Sequence, residues 1–210
     1  MKPRRSVRSA AIAQSRHGER RKEIANLAAR MIAEDGLTDF AAAKQKAARQ
    51  LGAAEDALLP DNHEIDAALR EYQSIFQSGS QPGQCRALRE SAAAIMRRLA
   101  HFSPWLVGSV LSGTANCFSR IELEIVTDDA KQVEMFFLNE GVPFVLRVSR
   151  AQPSKRARQP NEISTYEVLF EEIPVVLSVY PHHAARFSRH SRASLTHDRA
   201  QLKDVDALLA

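Results

Sequence analysis

Two carboxylates at a spacing of two residues are the first feature of this chain that could do chemistry. Glu122 and Glu124 lie in the run Ile121-Glu122-Leu123-Glu124-Ile125. In a strand, successive side chains alternate faces, so the two acids share one face and the apolar residues share the other. Neighbouring carboxylates repel, and a shared divalent cation relieves that repulsion. Hard oxygen donors of this kind suit Mg²⁺, which fills the rest of its shell with water and substrate phosphates. Upstream stands Val107-Gly108-Ser109, with twelve residues between Ser109 and Glu122. A glycine lets the backbone approach a phosphate closely. Ser109 offers a hydroxyl and a backbone N–H, and a helix starting there would add free N–H groups and a positive dipole end. Exposed alternating Glu on a solvated strand face is the plain structural reading of the same residues.

These residues need a sheet, and the sequence predicts one in the back half. Trp105-Leu106-Val107 is a short apolar run, and Ile121 to Val126 alternates as a strand. Asp128 or Asp129 opens a helix carrying Val133, Phe136 and Phe137, closed by Gly141. Pro143 to Ser149 reads as a further strand. Ile163 to Phe170 and Ile173 to Tyr180 flank Glu171-Glu172 as a hairpin. A last helix, about His197 to Leu209, places Leu202, Val205 and Leu209 on one side.

The front half reads as helical. Ile24, Leu27, Ala28, Met31 and Ile32 predict a helix from about Glu19 to Asp35, stopped by Gly36. Phe40, Ala43, Ala47 and Leu51 mark a second, from Asp39 to Leu51. Asp61 and Glu64 form a capping-box pattern for a third, with Ile65, Ala68, Leu69, Tyr72 and Phe76 facing inward. QSGSQPG, residues 77–83, reads as a break, and a fourth helix follows from about Gln84 to Leu99. The expected organisation is a basic flexible arm (1–18), a helical region (19–102), an α/β domain with a mixed sheet (103–181) and a tail ending in a helix (182–210).

Composition bounds the functional classes. The chain has 210 residues, 44% hydrophobic and 26% charged, which is ordinary for a globular protein. No apolar run nears the ~20 residues that span a bilayer, and the charged start lacks the apolar run of a secretory signal. Cys85 and Cys117 match no metal or redox spacing. A cytoplasmic, reduced protein without membrane association is the expectation. Residues 1–50 hold 12 Lys/Arg against 5 Asp/Glu, whereas residues 51–210 hold 17 against 20. The front end could therefore meet nucleic acid or nucleotide phosphates, and a solvated basic face explains it equally simply. Arg147, Arg150, Lys155, Arg156 and Arg158 allow the same two readings. His182, His183 and His190 have no ligand-spaced partner, so a zinc site is not expected.

The stretch LVGSVLSGTANCFSRIELEIVTDD, residues 106–129, resembles the core of the nucleotidyltransferase superfamily, the polymerase-β-like fold. The likeness covers about residues 103–181; Gly113, Ser119 and Ile121 also match positions where that family carries similar residues. It implies an α+β chain: a helical front followed by a nucleotidyltransferase-like mixed-sheet domain. It further implies that Gly108 and Ser109 bind nucleotide phosphates, and that Glu122 and Glu124 are catalytic metal ligands for Mg²⁺. ATP or another nucleoside triphosphate would be the substrate and a hydroxyl, on RNA or protein, the acceptor. The family's acid pair usually contains an Asp, and here both are Glu. Its third acid comes from a later strand, but residues 173–180 hold no carboxylate. Glu167 is the nearest candidate for that catalytic role.

Two other readings stand beside this one. The first is a catalytically inactive member of the fold that binds nucleotide or RNA. The second is a helical DNA-binding regulator: residues 20–36, with the helix that follows, loosely resemble the start of a TetR-like domain, and residues 44–52 read as part of a helix-turn-helix. The segment that follows, AAEDALLPDNHEI, is acidic where phosphate contacts are wanted.

Overall fold

The computed structural model describes residues 4–53, 59–151, 161–183 and 199–210. The chain is α+β, and it divides into two compact units, residues 1–79 and 80–210. None of the helices among the described residues is long and apolar enough to cross a membrane.

The first unit holds three helices: α1 (Arg4–Glu34), α2 (Phe40–Gln50) and α3 (Asn62–Phe76). The segment 4–18, expected as an arm, is the first half of α1. Alanines make up much of the interface: Ala25, Ala28, Ala29, Ala43, Ala47 and Ala48 are buried around Ile24, Phe40, Ile65 and Leu69. Small side chains let helices approach closely, and the larger ones fill what remains. The capping box of α3 forms as its spacing predicts, with Asp61 and Glu64 each accepting the other's backbone N–H. Arg21 on α1 binds the same Glu64, with Nη2 2.6 Å from Oε2. Phe76 departs from the predicted stripe. It is 68% exposed, and Gln73 is the buried residue of that turn.

The second unit is a five-stranded mixed sheet with helices on its apolar face. Its elements are α4 (Gln81–Arg98), β1 (Trp105–Val107), α5 (Gly108–Ser112), β2 (Ile121–Val126), α6 (Ala130–Asn139), β3 (Phe144–Ala151), β4 (Asn161–Phe170), β5 (Ile173–Tyr180) and α7 (Leu202–Leu209). The strand order is β1-β2-β5-β4-β3, and only β2 and β5 run parallel. α4 begins at Gln81, inside the predicted break, with Pro82 in its first turn, where a missing N–H costs nothing. Its Ala92, Ala93, Ile95 and Met96 join the sheet's core, so the boundary falls at residue 79 rather than near 102.

Alternation sorts β2, β4 and β5. Ile121, Leu123, Ile125, Val175, Leu177, Val179, Tyr166 and Val168 point to the helices and are at most 4% exposed. Each large side chain so buried stabilises by about 1.5–3 kcal/mol. Phe137 of α6 packs on Tyr166 and Phe170 with ring centroids 5.7 and 6.1 Å apart. The β4–β5 hairpin turns on Glu171 and Glu172, both left-handed (φ 49° and 68°), a conformation that Gly or Asn usually supplies.

Candidate functional site

The face opposite the core carries the candidate site. Val107 pairs with Glu122 and Trp105 with Glu124, so these four side chains share that face at the β1–β2 corner. Two residues of strand separate the acids by about 7 Å at Cα. β1 is only three residues long because Gly108, at φ 73°, turns the chain directly into α5.

Glu122 and Gly108 are packed together. A Cβ at Gly108 would lie 2.8 Å from the Glu122 Cδ and 2.9 Å from both carboxylate oxygens. Glycine is therefore required twice, for its backbone angle and for the space that the acid fills. Ser109 follows, half-buried, and its carbonyl accepts the N–H groups of Gly113, Thr114 and Ala115 at 3.0 to 3.1 Å. Two α4 residues fix that loop. Gln81 Nε2 donates to the Gly113 and Ala115 carbonyls, both at 2.8 Å, and Arg89 donates to Val110 O and Leu111 O at 2.9 and 3.1 Å. The turn into β2 is closed by Asn116, whose Oδ1 accepts from Phe118 N and Ser119 Oγ.

Burial pushes the Glu122 carboxyl up from its ordinary range; Arg120 opposes this, and Glu124 adds to it. Burial also pushes Glu124 up, against Arg199 and the Tyr180 hydroxyl. Arg199 Nη2 stands 2.6 Å from Glu124 Oε2, with side chains 17% and 11% exposed. That oxygen is buried and ion-paired with the guanidinium.

Glu122 packs on Gly108, which Ser109 follows in the chain, and Glu124 stands one pleat further along the same face. Glu167 is not brought to them. In the pairing of β2, β5 and β4, Glu122, Val176 and Glu167 form one row, so Glu167 shares the face but stands two strands away, about 10 Å at Cα. Its Oε1 is 3.0 Å from Arg147 Nε, on the side away from Glu122. The strand that does flank the acids presents Val176 and Ser178 beside them. Arg199 is the functional candidate that sequence reasoning missed. It lies 75 residues beyond Glu124, and no spacing links the two.

The remaining candidates have structural duties. Asp129 caps α6, and Asp128 binds exposed His182 through both its backbone N–H, at 2.9 Å, and its ring, at 3.2 Å. Lys44, in the segment resembling a DNA-binding motif, donates to Pro60 O and Asn62 Oδ1. Lys155, Arg156, Arg158 and His190 lie outside the described residues, as do residues 197 and 198 of the expected last helix.

Among the described residues no group of three or more His, Cys, Asp or Glu converges as a metal cage. Two carboxylates on one face, Glu122 and Glu124, are donors of the kind that suit an ion taking its other ligands from water and phosphate, and Arg199 stands against the second of them. No family model matches the chain, and no curated protein or solved structure matches it.

Proposed function

We propose that the sheet unit binds a nucleoside triphosphate with Mg²⁺ at the β1–β2 corner and transfers its nucleoside monophosphate to a hydroxyl acceptor, as a nucleotidyltransferase-like domain. The packing of the Glu122 carboxyl on Gly108 carries this reading, because it sets one of the two acids against the Gly-Ser bend. Glu122 and Glu124 would hold the metal, and Gly108 and Ser109 would place the phosphates against the bend. When bound, Mg²⁺ offsets charge on the phosphate oxygens. The acceptor oxygen bonds to the α-phosphorus, the bond to the bridging oxygen breaks, and pyrophosphate leaves. With Glu167 held by Arg147, the acceptor's proton passes to water.

Two observations favour a second reading, a catalytically silent member that binds nucleotide or RNA. Arg199 already neutralises Glu124, and β5 offers Val176 and Ser178 where a third acid would stand. One experiment separates the two. ATP binding is measured with and without Mg²⁺, and pyrophosphate release is measured with RNA and protein acceptors, for wild type and for Glu122→Gln with Glu124→Gln. The proposal expects Mg²⁺-dependent binding and pyrophosphate release, both lost in the double variant. Binding that survives the substitutions but falls steeply with salt selects the silent reading. No binding in either protein overturns both.

A further inference from the structure

Ala200 pairs with the sheet in a way that serves the site. Ala200 exchanges two backbone hydrogen bonds with Leu106 of β1, at 2.8 and 3.0 Å, forming a single antiparallel bridge. Alternation beside that bridge puts Arg199 on the side of Val107, which is the side of the two acids. Downstream, Gln201 and Asp204 form the capping box of α7, and Arg97 holds Asp206 at 2.6 Å. The backbone that carries Arg199 is thus fixed on both the sheet and α4. Its guanidinium crosses to Glu124, with Nη2 2.6 Å from Oε2.

Resting on the nucleotide-binding reading above, we propose that Arg199 is a triphosphate-binding residue held on Glu124 in the free protein, so that metal and nucleotide enter the site together. A divalent cation on Glu124 would sit beside a guanidinium only 2.6 Å from that carboxylate, so the free site disfavours the ion alone. A bound triphosphate changes the balance. Its oxygens accept the planar fork of N–H donors in two parallel bonds. Arg199 moves to the phosphate, and Glu124 is released to the metal.

The test compares wild type, Arg199→Gln and Arg199→Lys in the full chain. Binding of Mn²⁺ alone is followed by electron paramagnetic resonance, and binding of ATP in Mg²⁺ by titration calorimetry. Arg199→Gln should bind Mn²⁺ alone about tenfold more tightly and Mg²⁺–ATP about tenfold less tightly, the loss of one charge-assisted contact. Arg199→Lys keeps the charge without the fork, so it should bind Mn²⁺ as weakly as wild type and still lose affinity for ATP. Wild type that binds no Mg²⁺–ATP overturns both this role and the reading beneath it. Wild type that binds Mg²⁺–ATP, with an Arg199→Gln change in neither or only one measurement, overturns the role of Arg199 alone. If Arg199→Gln does not fold, Arg199→Lys with wild-type affinity for ATP overturns it as well.

Discussion

Substituting Gly108 by Ala tests the joint between bend and acid directly. Two penalties apply. An L-residue at φ 73° costs about 1–2 kcal/mol. The new Cβ would also stand 2.8 to 2.9 Å from three carboxyl atoms of Glu122, well inside the usual contact distance. Overpacking of this kind costs a further 1–3 kcal/mol or so. Gly108→Ala should therefore lose about 2–5 kcal/mol in an otherwise wild-type chain. In a Glu122→Ala background only the backbone penalty remains, so the loss should shrink to about 1–2 kcal/mol. The assay is urea unfolding followed by Trp105 fluorescence. Trp105 is the chain's one tryptophan and lies on β1, so the signal reports the sheet unit. Equal losses in the two backgrounds, within about 0.5 kcal/mol, would refute the packing and remove the main support for the functional proposal.

Three further outcomes are expected. Gln81→Met leaves the Gly113 and Ala115 carbonyls without their shared donor and should cost about 1–3 kcal/mol in the same assay; an unchanged midpoint would show that the loop holds itself. Glu171→Asn with Glu172→Gly should raise stability by about 1–2 kcal/mol, because both positions are left-handed, and the Glu171–Arg98 contact it removes is a 3.9 Å exposed pair of little value; a lower midpoint would refute this. Burial, followed by the Glu134 carboxylate, pushes Tyr166 up from 10.0 to about 12. The folded state favours its neutral form, so that stability is complete below pH 10 and is lost as pH rises from 10 through 12. The loss is about 3 kcal/mol at most. It should be absent from the alkaline unfolding curve of Tyr166→Phe.

Local patterns carried a large part of this structure. The alternation of Ile121 to Val126 fixed which side chains meet the core and therefore that Glu122 and Glu124 share the other face. The Asp61/Glu64 spacing specified the start of α3, and Asp129 the start of α6. Each depends on hydrogen bonds or side-chain periods that span four residues or fewer, so neighbours in sequence suffice to define them.

What the sequence left open depends on distant partners. Helical periodicity made Phe76 look like core, but only the packing of α3 on α1 determines which turn is covered, and that turn buries Gln73 instead. Glu167 matched the third acid by order along the chain. The strand order β2-β5-β4 then put a whole strand between it and Glu122. Gly108 was legible as a tight bend, yet the carboxyl filling its missing side chain follows from the Val107–Glu122 pairing. Arg199 left no local trace at all. A charge finds its counter-charge through space, and that meeting exists only once Ala200 has bridged to Leu106 and closed the chain on its own sheet.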